Sequence, residues 1–390
     1  MKLQNKKVIV ITNSSSYEPR AEWVGELFKQ QGAQVLWVET DFIHREKVKK
    51  VRSAPDHMYI DTVPYRKNLS VRRLYSQYDF ARKAEKILEK EQADMVYMIL
   101  PANSLAAAGD RLKRKMNRTV LVFDILDLWP ESLGGKKLQK LWPFQCWRRL
   151  RDDHLKAADL VITECHYFQK FINAKQEKTA VVYWPKEVPE GWKMEALENE
   201  APETPAVIHF AYLGSINNII DIDGIVNFLE ITGKMTPVFL HVVGDGENRG
   251  LFEEKLKSKG IKAEFYGAVY EEAVKAEIFS RCMFGINMMK PGVCVGLTMK
   301  SIDYFCYGLP LVNNIPGDTW ELVKQEQIGI NYRPDAALKC AQELLALAQS
   351  GRIKAIKYKM QSLYMKLFTQ EAAESVIRER VFPLLEGGPK

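Results

Sequence analysis

The chain has 390 residues, 46% hydrophobic and 27% charged, the balance of a globular protein of two or three domains. That balance excludes a largely disordered chain, a collagen-like repeat and a disulfide scaffold, and no apolar run approaches the roughly 20 residues that span a bilayer. The net charge of +7 is uneven: residues 1–200 carry 35 Lys and Arg against 27 Asp and Glu (+8), residues 201–390 carry 21 against 22 (−1). A basic first half suits an anionic partner, or equally a solvated surface with none. Six cysteines without a Cys-x-x-Cys pair and six histidines without metal-site spacing suggest no zinc site and no disulfide framework, so neither a metal nor another cofactor is expected.

The first apolar run, Lys7-Val8-Ile9-Val10-Ile11-Thr12, is too short for a signal-peptide core and predicts a buried strand in a cytoplasmic protein. It ends at the turn and cap residues Asn13-Ser14-Ser15-Ser16. A helical pattern follows, stopped by Gly32, and a second strand covers 34–38. The rhythm returns at 95–100, 119–123, 160–163 and 180–183. Continuous apolar strands alternating with helices predict a parallel sheet covered on both faces. Residues 187–206 are rich in Pro and Glu and read as a linker. The rhythm restarts at 207–213, 238–243, 263–266, 284–289 and 309–312, and the tail from about Ala336 is helical. The expected organisation is domain 1–186, linker 187–206, domain 207–370 and one closing helix within 371–390. Two doubly wound domains imply a cleft, with ligands beyond the carboxyl ends of the strands.

The stretch Gly292 to Pro310 carries the most chemistry. A glycine-containing loop meets a helix at about Thr298, with Lys300 and Ser301 in the first turn, Asp303 one turn in and Gly308 at the end. Free amides at a helix start attract phosphate, and Lys300 adds charge there. Asp303 suits the vicinal hydroxyls of a ribose. The same features also describe an ordinary capped helix.

This stretch resembles the donor-site signature of the retaining family 4 of GT-B glycosyltransferases, Glu-x7-Glu followed by Gly-x-Pro and a strand. Asp303 falls on the second Glu, with Gly308 and Pro310 in register, and Lys300 matches a lysine of the bacterial polysaccharide branch. Val242-Val243-Gly244-Asp245-Gly246 is similar to a strand-turn of the family's second domain, and Phe265-Tyr266-Gly267-Ala268-Val269 to the loop facing the nucleobase. Asp124 to Ser132 resembles the Asp-Leu-Trp-Pro-Glu-Ser stretch of capsule, O-antigen and exopolysaccharide enzymes. The resemblance covers nearly the whole chain in its order of elements. It implies an α/β GT-B fold, two Rossmann-like doubly wound parallel-sheet domains with a deep interdomain cleft, the first binding the acceptor and the second the nucleotide sugar, with the closing helix crossing back to the first domain. It implies donor contacts from Asn13, Gly214, Ser215, Asn217, Gly244, Gly267, Ala268, Val269, Gly296, Thr298, Lys300, Ser301 and Asp303.

Two departures stand out. Val295 occupies the first Glu position, which in the family contacts the donor sugar. Ser215 follows Gly214 where the family carries Arg, and no Lys or Arg appears before Lys234, so the amides of Gly214 to Asn217 are expected to substitute. Asp221-Ile222-Asp223 is formally a metal motif of the other glycosyltransferase fold and is discounted as chance spacing.

The catalytic candidates are Asp127 and Glu131, for orienting an acceptor hydroxyl or taking its proton, and Lys300, for the leaving diphosphate. Glu131 after Pro130 reads equally as a helix-start carboxylate. Trp142, Phe144, Trp147, Arg148, Arg149 and Arg151, extended by Lys136, Lys137 and the cations of 111–118, suit a membrane interface. The expectation is a glycosyltransferase of bacterial cell-surface polysaccharide synthesis, peripheral on the inner face of the membrane. It takes a UDP-, GDP- or dTDP-linked sugar and a lipid-linked or saccharide acceptor, and binds no nucleic acid. The alternatives are a nucleotide-sugar epimerase of the same fold and a non-catalytic partner subunit.

Overall fold

The computed structural model describes residues 3–133, 138–194 and 206–386. The chain divides into two units, Met1–Tyr183 with Ala373–Lys390, and Trp184–Ala372.

Unit one runs β1 (Lys7–Thr12), α1 (Glu18–Gln30), β2 (Gln34–Thr40), β3 (Phe42–Ile43), β4 (Val48–Lys49), β5 (His57–Ile60), α2 (Val71–Glu91), β6 (Met95–Leu100), α3 (Asn103–Lys115), β7 (Val120–Ile125), α4 (Trp142–Asp152), β8 (Leu160–Thr163), α5 (His166–Gln169) and β9 (Thr179–Val181). Seven of these strands form a parallel sheet in the order β5-β2-β1-β6-β7-β8-β9, while β3 and β4 pair antiparallel outside it. The winding reverses between β1 and β6. Every residue of β6 is buried, as expected of a central strand with helices on both faces.

Unit two runs β10 (Ile208–Leu213), α6 (Ile222–Gly233), β11 (Val238–Val243), α7 (Arg249–Ser258), β12 (Lys262–Gly267), α8 (Glu272–Ser280), β13 (Phe284–Asn287), α9 (Met299–Cys306), β14 (Leu311–Asn313), α10 (Asp318–Glu326) and β15 (Gly329–Asn331). Helices α11 (Ala337–Ala348), α12 (Ile353–Leu367), α13 (Gln370–Arg380) and α14 (Phe382–Glu386) close the chain. The sheet is parallel, in the order β12-β11-β10-β13-β14-β15, and its winding reverses between β10 and β13. Phe210, Phe228, Phe252, Phe284 and Tyr332 lie in its core.

The closing segment is two helices rather than one. From Ala373 on it belongs to unit one, where the Phe382 and Phe28 rings lie 5.3 Å apart and Arg380 donates to the Thr179 carbonyl at 3.0 Å. The described start of the expected linker is a strap on unit two. Lys186 N–H donates to the Phe368 carbonyl at 2.8 Å, and Trp192 Nε1 to the Cys306 carbonyl at 2.9 Å. Residues 195–205 of that stretch lie outside the described residues.

Candidate functional site

In unit two, three loops beyond the carboxyl edge of the sheet are stitched by backbone hydrogen bonds. Gly214 N–H donates to the Val243 carbonyl at 2.9 Å, Ile216 N–H to Asp245 at 2.9 Å, and Gly244 N–H to Gly267 at 2.7 Å. The approach is close enough to demand glycine. Gly244 has φ +152°, and a Cβ there would lie 2.0 Å from the Gly214 carbonyl oxygen. Gly214, Gly244 and Gly267 therefore meet at the carboxyl edge of the sheet. One expectation is corrected: the Gly214 and Ile216 amides are already bonded, so of the four amides expected to receive a diphosphate only those of Ser215 and Asn217 make no such loop bond.

Helix α9 is capped by Thr298, whose side chain accepts from Ser301 N–H. Ser301 and Thr298 are in turn fixed by Asn287 at the end of β13. Asn287 Nδ2 donates to Ser301 Oγ at 2.9 Å, and Thr298 Oγ1 donates to Asn287 Oδ1 at 3.0 Å. Asn287 Nδ2 also donates to Asn313, and Asn313 Nδ2 to Asn331, at 2.9 and 3.0 Å, so one asparagine at each of three adjacent strand ends ties the helix start to the sheet. Tyr304, one turn on, receives the Leu213 N–H at 2.8 Å at the sheet's reversal point.

This scaffold carries Lys300. Its Nζ is buried, makes no hydrogen bond, and lies 4.9 Å from the Tyr212 ring centroid. Burial pulls its pKa down to about 7. An unpaired buried ammonium is costly, and its partner of choice is an anion. Asp303 forms an ion pair with Lys186, and burial raises its carboxyl against that cation. The Gly296 carbonyl accepts from both the amide and the hydroxyl of Thr319, which anchors the loop to α10. Ala268 and Val269 follow β12, the first exposed and the second half-buried. Asp221 is the N-cap of α6 and accepts from Gly224 N–H at 3.0 Å, and Asp223 pairs with Lys255, so the Asp-x-Asp has a structural use.

In unit one, the residues beyond the carboxyl ends of β1, β7 and β8 converge. Asn13 lies just beyond β1 and Tyr17 at the start of α1. Asp127 follows β7, with Ser132 Oγ donating to its Oδ1 at 2.5 Å; burial raises its carboxyl. Glu164 follows β8, its amide bonded to the Ile125 carbonyl at 3.1 Å. Burial and then the Asp127 carboxylate push Glu164 up to about 8, against the pull of Arg20. Tyr17 is raised by burial and by the same two carboxylates. Beneath them Arg20 is paired with Asp124 at 2.9 Å, both buried, and Tyr97 OH donates to Asp124 at 2.6 Å. Arg73, from the first turn of α2, lies over the Trp129 ring at 3.9 Å with its Nε unpartnered. Glu164 and Arg73 are the residues sequence reasoning missed. The only local signal was a carboxylate at a strand end.

Three expectations need correction. Glu131 is no free catalytic carboxylate: Arg151 clasps it with two hydrogen bonds of 2.9 and 3.1 Å, and both are buried. Arg151 is therefore an inward-facing residue and no membrane contact, and Trp147 is buried edge-on against Trp129. The basic surface expected of α3 is neutralised, because Arg111, Lys113, Arg114 and Lys115 pair with Glu85, Asp159, Asp110 and Glu89. Trp142, Arg148 and Arg149 are exposed and Phe144 is half-buried; Lys136 and Lys137 lie outside the described residues. Among the described residues, no helix is long and apolar enough to cross a membrane.

No family model matches the chain, and no curated protein matches it by sequence. Solved structures do match it along its whole length. The lipopolysaccharide outer core galactosyltransferase WaaB, in its apo form, superposes with a TM-score of 0.66 at 14% identity, covering 97% of this chain and 99% of that one. HepE from Anabaena, in complex with UDP, gives 0.66 at 13% identity, over 96% and 98%. Sucrose-phosphate synthase from Thermosynechococcus elongatus gives 0.65 at 13% identity, over 98% and 100%. The chain has the GT-B fold.

Proposed function

We propose that this protein is a glycosyltransferase that uses a nucleoside diphosphate sugar. The observation that carries the reading is Lys300, a buried, unpaired ammonium at the reversal point of a sheet whose three loop glycines approach each other. Pyrophosphate is the common part of every such donor, and a single positive charge with nearby amides is the chemistry that holds it. Neighbours of the same fold were solved with UDP or a UDP-sugar. Asp303 takes the ribose hydroxyls, and Lys300 stabilises charge on the departing diphosphate. In unit one, Asp127 and Glu164 handle the acceptor: a carboxyl group poised near neutrality can receive the hydroxyl proton as the glycosidic bond forms. A lipid-linked glycan at the inner membrane face fits the resemblance of the 124–132 stretch to bacterial polysaccharide enzymes. Retention of configuration is implied by that same resemblance.

The missing first Glu, with Val295 in its place, favours one second reading, a GT-B partner that binds nucleotide without transferring sugar. The test is release of free nucleoside diphosphate from a panel of UDP-, GDP- and dTDP-sugars in the presence of membrane extract. Release by the wild type that falls at least about 100-fold in Glu164→Gln supports transfer. Tight nucleotide binding with no release from any donor supports the non-catalytic partner.

A further inference from the structure

Helix α2 is inside out over its first two turns. Val71, Leu74, Tyr75 and Tyr78 recur at helical spacing, the stripe that normally faces a core. Here they face solvent: Val71 is 83% exposed, and Tyr75 and Tyr78 are each 56% exposed. The opposite side buries Arg73, Ser76, Gln77 and Asp79. Farther along, the pattern is ordinary, with Phe80, Ala81, Ala84 and Leu88 buried. The inversion has a cause on its inner face. Arg73 reaches the Trp129 ring and the Asp127 carboxylate's field, and the main-chain carbonyl of Gln77 accepts from Ser104 Oγ at 2.8 Å. That accounts for Arg73 inside; the apolar stripe outside stays exposed among the described residues.

The flanking charge says what covers it. Between Asp61 and Asp79 the chain has four cations, Arg66, Lys67, Arg72 and Arg73, and no carboxylate. Arg66, Lys67 and Arg72 are exposed, as is Leu69 between them and the helix. Tyrosines on an apolar stripe, bordered by lysine and arginine with no acidic residue, match the boundary between acyl chains and anionic headgroups. A protein surface would need its own carboxylates opposite these cations as well as an apolar groove. We infer that the outward face of residues 66–78 is the membrane-docking surface of this protein and binds an anionic lipid leaflet. This rests on the proposed function only in explaining why a transferase would need a membrane. It also relocates the contact from the inner face of α4, where Trp147 and Arg151 are buried, to the start of α2.

Full-length protein is sedimented with vesicles of phosphatidylcholine alone and with about 30% phosphatidylglycerol. Expected is binding to the anionic vesicles only, weakened by raising salt from about 0.1 M to about 0.5 M. The variant Val71→Ser/Tyr75→Ser/Tyr78→Ser is expected to bind at least about tenfold more weakly. Arg66→Glu/Lys67→Glu, on exposed loop positions outside any packing, is expected to lose binding likewise. The melting temperatures and nucleotide-induced thermal shifts of both variants should match wild type. The inference is overturned if wild type does not sediment with anionic vesicles, or if the triple variant sediments as well as wild type. It is also overturned if wild type is a dimer by light scattering and the triple variant a monomer, which would make a second copy the occupant. Vesicle binding without any nucleotide shift leaves this inference standing and removes the proposed function.

Discussion

Lys300 Nζ sits 4.9 Å from the centre of the Tyr212 ring, and no oxygen among the described residues accepts a hydrogen bond from it. A ring face is a weak partner for an ammonium held out of water. The folded protein therefore carries an electrostatic penalty that an anion at this point would relieve. Lys300→Met is expected to raise the stability of the ligand-free protein by about 2 kcal/mol, read by chemical denaturation, while removing the thermal shift given by nucleoside diphosphates. Stability gained at the expense of binding separates a functional lysine from a structural one.

The lowered pKa of Lys300, about 7, fixes the sign of a pH effect. The unfolded chain holds this proton up to the ordinary lysine range, the folded chain only up to about 7. The Lys300 contribution to stability therefore rises with pH between those limits. Binding of an anion restores the ordinary pKa, so binding takes up a proton above pH 7 and weakens as pH rises from about 7 to about 9. Calorimetric titrations in two buffers of different ionisation heat measure that proton directly.

Glu39, on β2, is a buried carboxyl whose oxygens have no hydrogen-bond partner. Burial, then Glu18, raise it to about 7 despite Arg52. The folded state holds its proton to a higher pH than the unfolded chain. Its contribution to stability is thus fully present below about pH 4.5 and is lost as pH rises to about 7. Glu39→Gln is expected to stabilise the protein at pH 8 by about 2 kcal/mol and to change little at pH 4.5, as read from urea denaturation at both values. Nucleotide affinity should not move, because β2 lies in the other unit from Lys300.

Glu131 and Arg151 form a buried, two-pronged ion pair, with the Trp129 carbonyl and Asp152 completing the guanidinium's bonds. Removing one partner leaves a buried charge. Glu131→Ala is expected to cost about 3–5 kcal/mol, and Glu131→Leu/Arg151→Met to recover most of it. Thermal denaturation of the single and double variants checks this. A Glu131→Ala protein of wild-type stability would restore Glu131 as a catalytic candidate.

Two glycines of unit two make a matched pair. Gly244→Ala places a Cβ 2.0 Å from the Gly214 carbonyl, at φ +152°, and is expected to lose about 3 kcal/mol together with nucleotide binding. Gly250→Ala, in α7 with nothing within 4 Å of the new Cβ, is expected to gain about 0.5–1 kcal/mol and bind as before. Melting curves with and without nucleotide read both.

The sheets were legible because parallel strands are apolar on both faces, so Val8–Ile11 and Met95–Leu100 declare themselves as runs. The cap at Thr298, the helix through Lys300 and the stop at Gly308 were legible from cap chemistry and spacing. His57–Ile60 was not: it is a four-residue edge strand with only Ile60 buried. The basic-aromatic pattern of α4 was misread because spacing shows which residues share a face, not whether that face looks outward. Arg151 turns inward because a carboxylate 20 positions earlier waits there. Glu164 and Arg73 were invisible for the same reason: their partners are distant in sequence and brought together only by the strand order.

Everything proposed for unit two turns on a diphosphate site at Lys300. The most direct test is calorimetric titration of UDP, GDP, dTDP and ADP into wild type and Lys300→Met at about pH 7.5. One of them is expected to bind wild type with net proton uptake, and none to bind the folded variant. Binding of equal strength to both proteins, or no binding of any of the four to folded wild type, would contradict it.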